Sequence, residues 1–171
     1  MDNLGFIHEK LDIKILILFV LRRLPGEVDP ETLLEICQCD DGIGYFDYSD
    51  CLNELVESGH ITESEDGYTI TEKGARNADA VESSLPYSVR SKALRLLGPV
   101  EEQMRRAAML TARHTLSENG CTVELAMEDG KGEVMHLQLL CADENQARRI
   151  EKHFRKDAEG VYQRVMELLS E

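Results

Sequence analysis

"GYFDYSDCLNELVESGHITESEDGYTITEKG", residues 44–74, changes its periodicity twice within one short run. Tyr45, Tyr48, Leu52, Leu55 and Val56 recur at spacings of three and four, the rhythm of a helix with one buried stripe. Gly59 stands where a residue in the left-handed conformation closes a helix. "HITE" and "GYTIT" then read as two short strands around the turn sequence "SEDG", with His60 leading into the first. From Thr71, a suitable N-cap, "TEKGARNADAVESSL" returns to helix, although Gly74 is a poor helix former in its first turn. The order is helix, hairpin, helix, and from Gly44 to Glu72 there is no Lys or Arg.

Two further helices precede this run. Leu11 to Leu24 is apolar on nearly every side from Ile15 to Leu21, as suits a helix in the middle of a small core. It is too short to span a membrane and carries Asp12 and Lys14. Pro25-Gly26 ends it, with Arg22 and Arg23 complementing the helix dipole. Asp29 as N-cap and Pro30 at the first helical position start the second helix in "DPETLLEIC", and the two glycines of "CDDGIG" break it. Three helices, a hairpin and a fourth helix over residues 1–85 match the winged helix-turn-helix plan.

The segment "LNELVESGHITESEDGYTITEKG" resembles the recognition-helix-to-wing segment of the MarR and PadR groups of bacterial regulators. The fuller pattern "FIHEKLDIKILILFVLRRLP…CDDGIGYFDY" is similar to an uncharacterised Firmicute family of winged-helix transcriptional regulators. That resemblance implies a DNA-binding regulator acting as a homodimer, with two third helices in successive major grooves roughly 34 Å apart. In such a mechanism Arg22, Arg23, Lys73 and Arg76 supply the phosphate contacts.

The charge argues the other way. Residues 1–85 hold 6 Lys and Arg against 19 Asp and Glu, a balance of −13, while residues 86–171 hold 13 against 14, a balance of −1. The outward face of the third helix is expected to present Phe46, Ser49, Asp50, Asn53 and Glu57, flanked by Asp47 and Glu54, with Asp41 just upstream. Base edges are usually read by Arg, Lys, Asn and Gln, so Asn53 is the best reader and Ser49 a weaker one. A carboxylate roughly 6 Å from a phosphate is repelled by about 1 kcal/mol at an effective dielectric near 60. Glu63, Glu65 and Asp66 put the same charge in the wing. The alternative is a protein-interaction module whose acidic surface, with Tyr45 and Phe46, meets a basic partner and does not bind DNA.

Pro86 marks the expected boundary to a second module over residues 86–171, so the fold class is α+β, mostly helical with small hairpins. "YSVRSKALRLL" predicts a helix up to Gly98-Pro99, and Val100 to about Thr115 a second one. "CTVELAM" and "EVMHLQLLCA" alternate around "EDGKG" and form a hairpin. Val123, Leu125 and Met127 then share a face with Met135, Leu137 and Leu139, and His136 points outward. Asp143 N-caps a long last helix to about Leu169, with the stripe Ala147, Ile150, Phe154, Ala158, Val161, Val165 and Leu168. Arg148, Arg149, Lys152, Arg155 and Lys156 share its opposite face, which could dock the acidic first module or nucleic acid. A module this small often completes its core with a partner surface, and dimerisation or sensing is its expected role.

Enzymatic and metal chemistry find little support. Cys37 and Cys39, with Cys51 and His60 in reach, suggest zinc, but residues two apart on a helix point roughly 200° from each other. Cys37 and Cys51 read as small buried apolar residues. Aligning Gly42 with the glycine of a calcium loop puts Cys37 and Cys39 at ligand positions, and the match fails. The five histidines are scattered, with no nucleophile motif and no phosphate loop. Five cysteines without a recognisable leader suit reduced thiols in a cytoplasmic protein. No catalytic residue, metal or cofactor is expected.

Overall fold

The computed structural model describes Ile7, residues 9–118 and residues 120–170. It is α+β, with seven α-helices and two antiparallel sheets among the described residues. The chain forms two compact units, one ending at Met104 and the other starting at Arg105. The division falls inside a long helix rather than at Pro86.

In the first unit α1 (Lys10–Arg23) buries Ile13 and every residue from Ile15 to Leu21. A helix so apolar has to be covered on all sides, and α2 (Pro30–Cys37), α3 (Tyr45–Glu57) and α4 (Glu72–Val81) gather around it. The Asp29 carboxylate caps α2 by accepting the Thr32 N–H at 2.9 Å. The buried Asp40 carboxylate closes the next loop, accepting the N–H groups of Ile7 (3.3 Å) and Gly42 (3.0 Å).

α3 ends in a Schellman motif. The N–H of His60 donates to the Leu55 carbonyl at 2.9 Å and that of Gly59 to Val56 at 3.0 Å, with Gly59 at φ +72°. β1 (Ile61–Glu63) and β2 (Tyr68–Ile70) form the hairpin, and Val28 pairs with Tyr68 on the far side of β2. Thr71 caps α4 by accepting the Gly74 N–H at 3.1 Å. Gly74 is there for closeness: a Cβ would stand 2.1 Å from the His60 carbonyl oxygen. A 3-10 turn, Glu82–Ser84, follows α4.

The next helix, α5 (Tyr87–Ala108), packs Val89, Ala93 and Leu97 into the first core and runs straight through Gly98 and Pro99. The break expected there does not occur. Both residues are exposed, so the carbonyl that Pro99 leaves without a donor faces water.

The second unit also departs from expectation. The helix expected to run to about Thr115 gives way at Leu110 to strand β3 (Leu110–Ser117), which pairs with β4 (Gly120–Glu128), and β4 pairs with β5 (Glu133–Cys141). The hairpin is thus part of a three-stranded sheet of order β3-β4-β5. Val123, Leu125 and Met127 do lie opposite Leu139, Leu137 and Met135. One face of the sheet is covered by α6 (Glu144–Lys156), which buries Ala147 and Phe154 and is capped by Asp143 accepting the Gln146 N–H at 2.7 Å. The single long last helix is two helices. Asp157, at φ −146° and ψ 55°, breaks the path, and α7 (Ala158–Ser170) begins after it.

Candidate functional site

α3 is held by Tyr48, Cys51, Leu52 and Leu55, so its opposite side is fixed towards solvent. Phe46 is 82% exposed, Asp50 and Asn53 are exposed, and Ser49 is half-buried between them. The structure therefore brings the four expected contact residues onto one face. Tyr45 is the correction: expected to face inward, it is 56% exposed and stacks edge-to-face on Phe46 with ring centroids 5.8 Å apart. It occupies the first turn of α3, where the inward stripe starts only with Tyr48.

The acidic face has partners that the sequence reading missed. Lys10 Nζ lies 3.0 Å from Asp50 Oδ2, and Lys14 forms a close ion pair with Glu54. Lys10 and Lys14 are four residues apart on α1, as Asp50 and Glu54 are on α3, and that matched spacing was the available signal. The Asp50 hydrogen bond, then its charge, raises the Lys10 ammonium above its ordinary value. Lys14 lowers the Glu54 carboxyl by the same two means. Such exposed pairs add little stability, and their effect is on the local field. Asp47 and Glu57 stay exposed, as do Glu63, Glu65 and Asp66 on the hairpin. Glu63 accepts the Tyr68 hydroxyl at 3.0 Å.

The four expected phosphate contacts separate into two pairs. Arg22 binds Asp79 through Nε at 3.0 Å and Nη2 at 3.3 Å. Arg23 meets Glu82 at 2.8 Å and lies 3.7 Å over the Phe19 ring. Both arginines therefore fasten α1 to α4 and the 3-10 turn. Lys73 donates to the Ser58 carbonyl at 2.6 Å, at the C-terminal end of α3, and Arg76 reaches the Glu72 carbonyl of its own helix at 3.4 Å. Neither of these two has a carboxylate partner among the described residues.

Beside α3 runs a groove of about 1090 Å³ between α1, α3 and α4, with Leu11, Ile15, Leu18, Leu55, His60 and Val81 in its walls. His60 is fixed there between Ser58 Oγ (2.7 Å from Nδ1) and Asn77 Nδ2 (2.7 Å from Nε2). Burial, then the charges of Lys73 and Lys14, lowers its pKa and keeps the ring neutral.

In the second unit the expected basic face of α6 is only partly available. Arg148 pairs with Glu144 at 2.5 Å, and Arg155 donates to the Ala112 carbonyl at 2.5 Å. Arg149, Lys152 and Lys156 are exposed. Between β3 and α6, His114 bonds Glu151 of α6 at 2.6 Å. Among the described residues no group of three or more His, Cys, Asp or Glu is placed to hold a metal. Cys37 and Cys51 are fully buried, and burial raises the Cys39 thiol to about 11. No helix of the described residues is long and apolar enough to cross a membrane.

Residues 13–169 match the model of a family described as a domain of unknown function, DUF4364. No curated protein and no solved structure matches the chain.

Proposed function

Because the chain belongs to the DUF4364 family, whose description assigns no activity, we propose a function from the geometry of the first unit: a winged helix-turn-helix transcriptional regulator that binds double-stranded DNA as a homodimer. In this reading α3 is the recognition helix and the β1–β2 hairpin is the wing. The observation that carries it is the pairing of Lys10 with Asp50 and of Lys14 with Glu54. It neutralises two of the four carboxylates on α3 and leaves Ser49 and Asn53 facing outward beside them. Asn53 reads a base edge, with adenine the best match for its amide. Lys73 and Arg76 take the phosphates, and Arg22 and Arg23 serve the fold instead. Asp47 and Glu57 still oppose docking, by about 1 kcal/mol each.

Genomic fragments offered at about 50 mM salt are expected to yield a retained duplex. Asn53→Ala is then expected to lose roughly tenfold in preference for it, the lower range of one good base contact. A selection that returns nothing overturns the reading. One observation favours a second reading, a protein-interaction module. Tyr45 and Phe46 form an exposed aromatic pair among carboxylates, a suitable anchor for a basic protein partner. Phe46→Ala separates the two: it weakens a protein contact strongly and leaves a base contact by Asn53 in place.

A further inference from the structure

The second unit leaves an apolar surface uncovered that its own helices do not complete. α7 buries one side chain, Ala158. Its remaining apolar residues, Val161, Tyr162, Val165, Met166, Leu168 and Leu169, lie with Ala158 on an arc of about 160° at 100° per residue. A helix facing a single core needs an arc of roughly 100°. The surplus is exposed: Met166 is 46%, Leu168 73% and Leu169 79% accessible. Beside α7 runs a groove of about 500 Å³ with Leu125, Leu137, Leu139, Ile150, Phe154 and Val165 in its walls. Leu139 belongs to the covered face of the sheet by register, yet it is 44% exposed because α6 lies over β3 and β4.

We propose that this groove and the free side of α7 form the homodimer interface, with the C-terminal half of each α7 seated against the groove of a second copy. The proposal supplies the dimer that the DNA-binding reading requires, and so rests on that reading for its role. Area points to a second copy. Leu139, Met166, Leu168 and Leu169 alone expose on the order of 400 Å², about half of the roughly 800 Å² that each partner gives to a stable interface. In a two-fold contact the patch is used twice, once as groove and once as helix. Charge neither drives nor opposes the contact: Arg149 and His153 stand at the groove, and the C-terminal half of α7 carries one cation, Arg164, and one carboxylate, Glu167, on its polar side. A 13-residue helix anchored at one end is also too short to be stable alone, so the contact supports the element that makes it.

Sedimentation of the full chain at micromolar concentration tests this. The wild-type protein is expected at twice the mass of one chain. Leu168→Glu and Leu139→Glu are each expected to weaken the dimer at least roughly thirtyfold, the effect of losing one strong interface residue. Leu140→Glu, a 71% exposed leucine on the opposite face of the sheet, is expected to remain dimeric. All are expected to keep the wild-type circular dichroism, since the positions are not core. A wild-type monomer at 100 micromolar overturns the proposal, and so does a Leu168→Glu/Leu139→Glu protein that stays dimeric. Failure of the DNA-binding reading is separate: it leaves a dimer that retains no duplex.

Discussion

Gly74 and His60 decide how closely α4 can approach the end of α3. A Cβ at residue 74 would overlap the His60 carbonyl, so Gly74→Ala is expected to lose about 3 kcal/mol, the cost of overpacking against backbone. Urea unfolding reads it, and a loss below about 0.5 kcal/mol would contradict this packing. The His60 side chain adds a pH dependence. Asn77 donates to Nε2, so the neutral ring carries its proton on Nδ1 and gives it to Ser58, whose hydroxyl donates to the Glu54 carbonyl. The folded pKa is depressed, so the unfolded chain takes up the proton more readily. The stability His60 contributes is therefore complete above its unfolded value near 6.5 and is lost as pH falls through the lower folded value. Melting temperature is expected to fall below pH 6.5, and this slope is expected to flatten in His60→Gln. An identical slope in the variant would remove His60 as its source.

Elements were legible where a residue's chemistry has one local use. Asp29-Pro30 starts α2, Gly59 closes α3, and Thr71 and Asp143 cap the helices that follow them. Elements were lost where the decisive fact was which side faced water. Gly98-Pro99 reads as a break, but on the exposed side of α5 it interrupts nothing the core needs. β3 hid because its inner positions, Leu110, Ala112, His114 and Leu116, mix a small residue and a histidine into the alternation. The α6–α7 break had a signal in Asp157 and Gly160, whose N–H donates to the Asp157 carboxylate at 3.2 Å. Asp157→Ala is expected to weaken the start of α7 by about 1 kcal/mol, the usual value of an N-cap. Unchanged helicity and stability in that variant would show that packing alone sets the break. At the candidate site, the outward face of α3 was legible from helical spacing. The lysines that neutralise it came from a helix 40 residues away in the chain, which no local pattern reveals.

At the scale of the whole molecule the negative charge is arranged rather than diffuse. Of the six cations in residues 1–85, four are committed to carboxylates: Lys10 and Lys14 to α3, Arg22 and Arg23 to α4 and the turn after it. The first 85 residues of one chain therefore have few charges to offer a phosphate backbone, and the proposed DNA binding calls on two copies. The account predicts that a charge-neutralising change on α3 strengthens DNA binding, because it removes repulsion without touching the fold. Asp47→Asn and Glu57→Gln together are expected to tighten a retained duplex about tenfold or more. Looser binding by this double variant would show those carboxylates to be contacts.

The most direct test of the central claim is the anisotropy of a labelled, selected duplex titrated with the full chain at 50 and 200 mM salt. The account predicts a complex at 50 mM that weakens at least about a hundredfold at 200 mM, as release of counterions from some four or more phosphates requires. No complex at the lower salt, or an affinity indifferent to salt, would contradict it.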